Sequence, residues 1–460
     1  MPDFDLLVIG AGPGGYVAAI RAGQLGLKTA VVERDELGGI CLNWGCIPTK
    51  ALLRNAEVVE LMHRAEEFGI SFDNLRLDYG KAIDRSRQVV STLTRGVASL
   101  LKKNNVEHIK GEARFRDAHT LEVSPSGRAV TASSIIIATG TRQRSIPGLQ
   151  VDGKQIISSR EALELRQVPP RIAIIGGGAT GAEFAYLYNA YGAEVTIVEM
   201  LPHLLTNEDE EISRVLERSF TRQGIKFLTG ARVKAATREK EMVRLELEQK
   251  GEAMTLEANH VLVAVGVQAN SDGLGLEQIG VILERGNIKV DASMGTNVPG
   301  VYAIGDVTGI LLLAHVAQAQ GVLAVERIAG MDSPALNYEL MPKATYCHPQ
   351  VTSFGLTEKQ AIERGHEVKV GRFPFQASGK ALAIGDAEGM VKVVADKEYG
   401  ELLGVHMIGP DVTEMLGEMS LAHLLEGTTR EVGWLVHSHP TLSEALKEAA
   451  LNADGRAIHI

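Results

Sequence analysis

The chain has 460 residues, and its 57 acidic against 47 basic side chains give a net charge of −10, which argues against nucleic acid as its partner. Hydrophobic residues make up 45% and charged residues 23%, the composition of a folded protein with roughly three domains. No apolar run approaches the ~18 residues that cross a bilayer, the start MPDFDLLVIGAG shows no secretory pattern, and three cysteines are too few for a disulfide framework. We therefore expect a cytoplasmic protein with no membrane partner.

The first pattern along the chain predicts a dinucleotide-binding unit. The segment FDLLVIG, which ends at Gly10, predicts a buried strand, and a helix follows it to about Gly26. The turn between them carries Gly10, Gly12 and Gly15, and the next strand, TAVVE, ends at Glu33. In such a unit the glycines let a pyrophosphate approach the helix N-terminus, and the acid accepts hydrogen bonds from an adenosine ribose.

A pair of cysteines follows, Cys41 and Cys46, in the segment LGGICLNWGCIPTKALL. In a regular helix, residues five apart lie beyond the Cα separation of about 4.4–6.8 Å that a disulfide prefers, so a bridge would need a distorted entry turn. Pro48 is well placed in the first turn of the helix that follows. A thiol at a helix N-terminus has a lowered pKa and is reactive. Two buried free cysteines are the alternative, but such a pair is more often redox-active or metal-binding. A metal is disfavoured because no second Cys/His pair lies nearby.

The dinucleotide pattern then recurs. The strand RIAIIG leads into Gly176, Gly178 and Gly181, a helix follows to about Tyr191, and the strand VTIVE ends at Glu199. The interval from the first glycine to the acid is the same in both copies. Met-Leu-Pro-His follows Glu199, so a 2′-phosphate would meet a negative charge and no cation, which predicts NAD rather than NADP. Two ordinary strand–turn–helix units are the alternative, but both copies repeat every feature.

Apolar strands that end at Gly140 and Gly266 close the two units. The final part of the chain, after MPKATY, holds the short strands VTSFGL, GMVKVVAD and LLGVHMIG and then helices, which predicts an α+β domain. Its last motif, HSHPTLSEAL, contains His439 and Glu444. Glu444 fits the capping-box position relative to Thr441. An acid one turn inside the helix could instead orient the His439 imidazole, and the spacing alone does not decide between the two.

The segment GGICLNWGCIPTKAL resembles the redox signature of the flavoprotein disulfide reductases, and the similarity covers essentially the whole chain. Within this family it is greatest to the enzymes that oxidise dihydrolipoyl groups with NAD⁺. The resemblance implies FAD and NAD as cofactors and a homodimer, whose partner is a lipoyl-bearing acyltransferase of a 2-oxoacid dehydrogenase complex or a related lipoyl protein. It also implies that Cys41 forms the mixed disulfide with the substrate, that Cys46 faces the flavin, and that His439, held by Glu444, is the base.

The resemblance implies the other site residues as well. The segment TNVPGVYAIGDV is similar to the second flavin motif, in which Asp306 would bind the ribityl chain, although a helix N-cap is the alternative. Lys50 and Glu183 would form a pair beside the flavin ring, although Glu183 could be a helix-surface acid. The implied FAD contacts are Gly10, Gly12, Gly15, Glu33, Lys50, Ala113, Gly140, Asp306 and Ala314. The implied NAD contacts are Gly176, Gly178, Gly181, Glu199, Val233 and Gly266, and no metal site is expected.

Two positions depart from the family pattern. The segment VGVQAN has Val267 and Gln268 where relatives commonly have an arginine, which puts a charged NAD contact there in doubt. Ala179 is smaller than the usual side chain, so the nicotinamide would be less shielded. We expect His437 to be structural and assign no role to Cys347.

The predicted fold is α/β, with two Rossmann-like dinucleotide-binding domains and a C-terminal α+β interface domain. The expected division is an FAD-binding domain with the redox disulfide at 1–146, an NAD-binding domain at 147–270, a central segment that completes FAD binding at 271–340, and a dimerisation domain at 341–460. One alternative function is an NADPH-linked, glutathione reductase-like enzyme, which would need basic residues after Glu199. The other is a structural flavoprotein subunit, which the intact cysteine pair and His439 disfavour.

Overall fold

The computed structural model describes residues 1–460 and contains 24 β-strands and 13 α-helices. The strands are β1 (Phe4–Ile9), β2 (Thr29–Glu33), β3 (Glu107–Lys110), β4 (Glu112–Asp117), β5 (Thr120–Ser124), β6 (Arg128–Ile137), β7 (Thr141–Gln143), β8 (Ile156–Ile157), β9 (Arg171–Ile175), β10 (Glu194–Val198), β11 (Lys226–Leu228), β12 (Ala231–Glu239), β13 (Met242–Gln249), β14 (Glu252–Ala258), β15 (His260–Val263), β16 (Val267–Ala269), β17 (Leu283–Glu284), β18 (Asn287–Ile288), β19 (Val301–Ala303), β20 (Lys343–Thr345), β21 (Gln350–Gly355), β22 (Val368–Pro374), β23 (Met390–Asp396) and β24 (Leu402–Gly409). The α-helices are α1 (Pro13–Gln24), α2 (Gly39–Trp44), α3 (Cys46–His63), α4 (Tyr79–Lys103), α5 (Ser159–Ala162), α6 (Ala179–Ala190), α7 (Glu210–Arg222), α8 (Ala314–Ile328), α9 (Glu358–Glu363), α10 (Gly379–Ala383), α11 (Val412–Leu424), α12 (Thr429–Trp434) and α13 (Glu444–Ala453). Short 3₁₀ helices cover Ala65–Phe68, Gly305–Thr308, Tyr338–Leu340 and Phe375–Ala377.

The chain divides into two units. The first contains Met1–Ala51, Lys81–Arg144 and Gly266–Tyr338, and the second contains Leu52–Gly80, Ser145–Val265 and Glu339–Ile460. The second unit therefore groups the expected NAD-binding segment with the expected dimerisation segment. The finer division into four parts stays a prediction. None of the helices combines the length and the apolar composition that a membrane crossing requires.

The first unit is built on a seven-stranded sheet of order β3-β2-β1-β6-β5-β4, with β19 also paired to β6. Strands β3, β2, β1, β6 and β19 run parallel, and Leu7 of β1 lies between Ala30 and Ile135. All three are fully buried, because parallel strands that are covered on both faces carry continuous apolar runs. Helices α1 and α8 pack closely, since a Cβ at Gly14 would lie 2.9 Å from the carbonyl oxygen of Ala317.

The second unit contains a five-stranded parallel sheet of order β11-β10-β9-β15-β8 and a three-stranded antiparallel sheet, β12-β13-β14. The order β11-β10-β9-β15 repeats the order β3-β2-β1-β6 of the first unit. The repeat seen in the glycine motifs therefore extends to the topology of the sheets. This confirms the predicted α/β fold with two Rossmann-like sheets.

The C-terminal part of the second unit is a five-stranded antiparallel sheet of order β20-β21-β24-β23-β22. Strands β21, β23 and β24 are those predicted at VTSFGL, GMVKVVAD and LLGVHMIG. The sheet shares a core with α11, α12 and α13 that includes Phe354, Val405, Leu416 and Ala449. The predicted α+β character of this part is confirmed.

Candidate functional site

Two positions of the first glycine turn (Gly10–Gly15) can be occupied only by glycine, because neighbouring backbone atoms lie too close to them for a side chain. Gly10 has a φ of +98°, and a Cβ there would lie 2.4 Å from the carbonyl oxygen of Ala138. A Cβ at Gly15 would lie 1.9 Å from the carbonyl oxygen of Gly10. At Gly12, which precedes α1, a Cβ would meet nothing within 4 Å. The turn is therefore closed on the protein side and open in front of the helix N-terminus, the shape that a pyrophosphate requires.

The second glycine turn (Gly176–Gly181) has the same geometry. A Cβ at Gly176 would lie 2.3 Å from the carbonyl oxygen of Ala264, and one at Gly181 would lie 1.9 Å from the carbonyl oxygen of Gly176. The space around Gly178, which precedes α6, is open within 4 Å. The structure thus contains two equivalent turns of the shape that binds a dinucleotide.

The acids at the ends of the second strands lie beside these turns. Glu33, which is 8% exposed, accepts hydrogen bonds from the N–H groups of Ala11 and Asp35, each at 2.7 Å. Glu199 accepts from the N–H of Gly177 at 2.6 Å and from that of Leu201 at 2.8 Å. Each carboxylate oxygen retains lone pairs for a ribose hydroxyl, so both acids fit the adenosine role.

The cysteine pair lies where two helices meet. Cys41 lies in α2 and Cys46 is the first residue of α3, with Gly45 between the helices. A Cβ at Gly45 would lie 3.0 Å from the carbonyl oxygen of Ile40 and 3.2 Å from the Cα of Cys41, so glycine allows the close approach. This break in the helix removes the spacing problem that a continuous helix would impose on a disulfide.

The two half-buried thiols are unlinked in this structure and hydrogen-bond to each other. The hydrogen bond that the Cys41 thiol donates to the Cys46 sulfur and the burial of the side chain raise the pKa of the Cys41 thiol, and the backbone N–H of Cys46 and the charge of Lys50 oppose them. The thiol expected at a helix N-terminus is that of Cys46, the first residue of α3, and its reactivity stays a prediction. At Cys41 the partner sulfur and the burial favour the protonated form.

Three residues with no role assigned from the sequence fix the position and shape of the cysteine segment. Gly38 and Gly39 contact the first glycine turn, and Asn43 holds the segment itself together. The N–H of Gly38 donates to the carbonyl oxygen of Ala11 at 2.8 Å. A Cβ at Gly39 would lie 2.7 Å from the Cα of Gly12. The Asn43 amide donates to two carbonyls of the segment, including that of Gly39 at 2.9 Å. The only sequence signal for these contacts was the pair of glycines that precedes Cys41.

The second flavin motif places Asp306 in a short 3₁₀ helix after β19. Burial raises the pKa of its carboxyl, which the Thr141 hydroxyl opposes by donating at 3.2 Å. A further hydroxyl donor, such as a ribityl group, would stabilise the carboxylate charge, so Asp306 fits its implied role. Gly140 has open space around it, and Ala314 is the first residue of α8.

Ala113 fits its implied role less directly. It lies in β4, and its side chain is 3% exposed in a core that includes Phe115 and Leu121. Any contact with FAD would therefore come from its backbone.

The remaining implied NAD positions fall in both units. Val233 stands at an irregularity in the pairing of β12 with β13, and Ala179 is the exposed first residue of α6, both in the second unit. Gly266, which has open space around it, and Val267, which is 39% exposed, belong to the first unit. Their contacts with NAD, and the effect of Ala179 and Val267 on the nicotinamide site, stay predictions.

Glu183 is not a helix-surface acid. It is 5% exposed in α6, and its Oε1 accepts the backbone N–H of Tyr346 at 3.0 Å. Glu183 belongs to the second unit, whereas Lys50 belongs to the first, and their pairing beside a flavin stays a prediction.

The structure joins His439 and Glu444 directly. The Nδ1–H of His439 donates to Oε1 of Glu444 at 2.9 Å, and the backbone N–H of Thr441 donates to Oε2 at 2.8 Å. The Thr441 hydroxyl does not complete a capping box, because it donates to the carbonyl of Ser438. Burial alone would raise the pKa of Glu444, but Thr441 and His439 outweigh it and leave the pKa lowered. The His439 side chain is 80% exposed.

His437 and Cys347 both have hydrogen-bond partners. His437 is partly buried, with 6% of its side chain exposed, and its Nε2–H donates to Glu418 at 2.9 Å. Cys347 is 1% exposed, and its thiol donates to the carbonyl of Pro349 at 3.3 Å. No group of three or more His, Cys, Asp or Glu side chains is placed to hold a metal ion.

Comparisons with known proteins agree over the whole chain. A family model described as pyridine nucleotide-disulphide oxidoreductase matches residues 4–321, and a model for the dimerisation domain of these proteins matches residues 341–450. The chain is 45% identical to the dihydrolipoyl dehydrogenase of Bacillus subtilis (strain 168), with 99% of each chain covered. It is 49% identical to that of Mycobacterium leprae (strain TN), with 100% of each chain covered.

Solved structures show the same architecture. LpdA from Mycobacterium tuberculosis is similar with a TM-score of 0.91 and 27% identity, over 97% of this chain and 98% of that one. The HOCl-induced flavoprotein disulfide reductase RclA from Escherichia coli is similar with a TM-score of 0.87 and 26% identity, over 97% and 99%.

Proposed function

The chain belongs to the pyridine nucleotide-disulphide oxidoreductase family, and we propose that it oxidises dihydrolipoyl groups with NAD⁺, the activity of a dihydrolipoyl dehydrogenase. The observation that carries this function is the Cys41/Cys46 pair, which is hydrogen-bonded at a helix break and held against the first glycine turn. The overall reaction converts a dihydrolipoyl group and NAD⁺ into a lipoyl disulfide, NADH and a proton.

FAD binds at the first glycine turn and NAD at the second. The open spaces at Gly12 and Gly178 admit the two pyrophosphates, Glu33 and Glu199 accept the ribose hydroxyls, and Asp306 accepts from the ribityl chain. When bound, FAD takes up the electron pair of the dithiol and passes it as hydride to NAD⁺.

The cysteines carry the substrate half of the reaction. From a Cys41–Cys46 disulfide, a dihydrolipoyl thiolate attacks Sγ of Cys41, and Cys46 leaves as a thiolate. The second substrate sulfur then attacks the first, closes the lipoyl disulfide and releases Cys41 as a thiolate. Two electrons have moved from the substrate to the cysteine pair, and two substrate protons must be taken up by bases.

His439 is the base that generates the attacking thiolate. Because its Nδ1–H donates to Glu444, its exposed Nε2 is the proton acceptor in the neutral ring. An ordinary thiol has a pKa of about 8.5 and is only a few per cent ionised at pH 7. A base at hydrogen-bond distance therefore raises the concentration of the reactive form.

The proposal also names the proteins that the chain assembles with, its location in the cell and the segments that bind each cofactor. Residues 341–450 match the family's dimerisation domain, which supports a homodimer, and the partner is a lipoyl-bearing acyltransferase of a 2-oxoacid dehydrogenase complex or a related lipoyl protein. A cytoplasmic location suits a catalytic thiol pair. Residues 1–146 and 271–340 bind FAD, and 147–270 bind NAD.

The test is a comparison of two assays on the purified holoenzyme. The enzyme should oxidise dihydrolipoamide far faster with NAD⁺ than with NADP⁺, because Glu199 repels the 2′-phosphate of NADP⁺. Oxidised glutathione with NADPH should react slowly or not at all. The opposite preference would replace the proposal with an NADPH-linked disulfide reductase.

A further inference from the structure

Lys392 is a buried cation that the reaction does not use. It lies in β23 and its side chain is 3% exposed. Its Nζ contacts three carboxylates, those of Asp209 at 3.0 Å, Glu211 at 3.0 Å and Glu358 at 2.9 Å. The half-buried Arg372 also contacts Glu211 and Glu358, at 3.0 and 2.9 Å. These five residues are called the Lys392 cluster below.

The cluster fixes the start of α7. Asp209 is the N-cap of this helix, and its Oδ1 accepts the N–H of Glu211 at 3.0 Å. Since Asp209 is 5% exposed, its charge would be costly to bury without the paired lysine. The lysine contact also contributes to the lowered pKa of Asp209, against the effect of burial.

The end of α7 is held by the same part of the chain. Glu388, two residues before β23, accepts from the Ser219 hydroxyl at 3.0 Å and from the Arg222 guanidinium. The Gln223 amide donates to the carbonyl of His348 at 2.8 Å. Both ends of α7 are therefore bound to residues 341–450, the segment that matches the dimerisation domain.

A short chain of contacts leads from α7 to the second glycine turn. The Ser213 hydroxyl, in the first turn of α7, donates to the carbonyl of Leu205 at 3.2 Å. The N–H of Leu205 donates to the carbonyl of Gly177 at 2.9 Å, and the N–H of Gly177 donates to Glu199 at 2.6 Å. The side chain that faces the ribose is thus three contacts away from the helix that Lys392 holds.

We infer that Lys392 is a positioning residue for the NAD site, because it fixes α7 and through it the segment from Glu199 to Asp209. This rests on the proposed function, in which NAD binds at the second glycine turn. The dimerisation segment then does more than join subunits, since it holds the NAD-binding turn in its competent form. Without Lys392, Arg372 alone faces three carboxylates and the buried Asp209 loses the lysine that contacts it, so the segment samples arrangements in which Glu199 is displaced.

The test measures NAD⁺ binding to the oxidised, FAD-loaded dimer by isothermal titration calorimetry, because NAD⁺ binds without reducing the flavin. If the fraction of Lys392→Met molecules in the NAD-binding conformation falls to about one tenth, the dissociation constant for NAD⁺ should rise about tenfold. The KM for NAD⁺ should rise similarly, while FAD content and the rate of flavin reduction by dihydrolipoamide stay at wild-type values. A general loss of structure would instead lower the FAD content and the rate of flavin reduction together with NAD⁺ affinity.

Lys397→Met is the matched control. Lys397 follows β23, is 66% exposed and pairs with the exposed Glu367, so its loss should leave NAD⁺ binding unchanged. Should Lys392→Met fail to fold, Asp209→Asn decides the matter, because asparagine keeps the helix cap but removes the charge that Lys392 contacts. Wild-type NAD⁺ affinity in a folded Lys392→Met or Asp209→Asn protein would overturn the inference. Failure of the wild type to bind NAD⁺ would overturn the proposed function instead, and the role of Lys392 with it.

Discussion

At the residue scale, the carboxylate of Glu444 serves two donors at once. The sequence offered two roles, a capping box with Thr441 or an orienting partner for His439, and the structure shows the second together with only the N–H contact of the first. One oxygen accepts the Thr441 N–H and the other accepts the His439 Nδ1–H. The helix terminus thereby fixes the carboxylate, and the carboxylate fixes the tautomer of the ring.

Replacing Glu444 with Gln should slow dihydrolipoamide oxidation about 100-fold, because an amide holds the imidazole in the required tautomer poorly and does not stabilise its protonated form. Flavin reduction by NADH, which needs no imidazole, is the internal control and should not change. Stopped-flow measurement of both half-reactions separates them. Equal slowing of both would show that Glu444 supports the fold rather than His439.

The same variant gives a pH prediction. The pKa of Glu444 is lowered in the folded protein, so its contribution to stability is full above its unfolded pKa and is lost as the pH falls through the folded one. The Tm difference between wild type and Glu444→Gln should therefore be largest near neutral pH and shrink in acid. Thermal denaturation of both proteins across this range measures it, and a difference that grows in acid would contradict the assignment.

Glu199 should control cofactor choice. Glu199→Ala combined with Leu201→Arg removes the repulsion of a 2′-phosphate and adds a cation for it, so the ratio of kcat/KM for NADPH to that for NADH should rise at least about tenfold. Flavin reduction by dihydrolipoamide serves as the control. An unchanged ratio would mean that Glu199 does not lie at the ribose.

At the element scale, the catalytic feature is an interruption between α2 and α3. The sequence predicted a distorted entry to the second helix with Pro48 in its first turn, but it did not place the break at Gly45, because that depends on how closely Ile40 and Cys41 approach the glycine. Two helices that meet at a glycine bring residues five apart together, which one continuous helix cannot do.

Gly45→Ala should therefore damage this junction. Its Cβ would be 3.0 Å from a backbone oxygen, and we expect a loss of about 1–3 kcal/mol in the free energy of unfolding together with slower flavin reduction by dihydrolipoamide. Gly96→Ala is the control, because Gly96 lies inside α4 with open space around it. That change should be neutral or stabilising by up to about 1 kcal/mol, and similar losses in both variants would contradict the close-approach argument.

Local patterns predicted the elements around each turn. The strand Thr29–Glu33 was predicted with its observed bounds, and α6 begins and ends within a residue or two of the glycine motif and Tyr191. The contacts of Asn43 and Lys392 were not predictable, because each depends on partners that only the fold brings together. For Lys392 the partner Asp209 lies in a different part of the sequence, with no periodicity linking the two.

At the scale of the whole molecule, the repeat is one of topology as well as motif, since β3-β2-β1-β6 and β11-β10-β9-β15 have the same order. The glycine spacing could predict the two dinucleotide units. It could not predict that Leu52–Gly80 would group with the second unit, because that depends on tertiary contacts such as those of Glu60 with the Tyr186 hydroxyl and of Arg64 with the carbonyl of Gly385.

The active site should be shared between the two subunits of the dimer. A two-fold axis can bring the C-terminal domain of each subunit to the cysteine pair of the other. Cys46→Ala and His439→Ala proteins, each nearly inactive, should then recover roughly a quarter of wild-type activity when dissociated and reassociated together, because half the dimers are hybrids with one intact site of two. No recovery, with hybrids confirmed by native mass spectrometry, would show that each subunit supplies its own His439.

The most direct measurement is the flavin spectrum of Cys46→Ala during anaerobic titration. If electrons pass from the dithiol through the cysteine pair to FAD and then to NAD⁺, dihydrolipoamide should reduce the wild-type flavin but leave that of Cys46→Ala oxidised. NADH should reduce the flavin in both proteins, since the second glycine turn does not involve the cysteines. Reduction of the Cys46→Ala flavin by dihydrolipoamide at the wild-type rate would contradict the account, as would loss of FAD on purification.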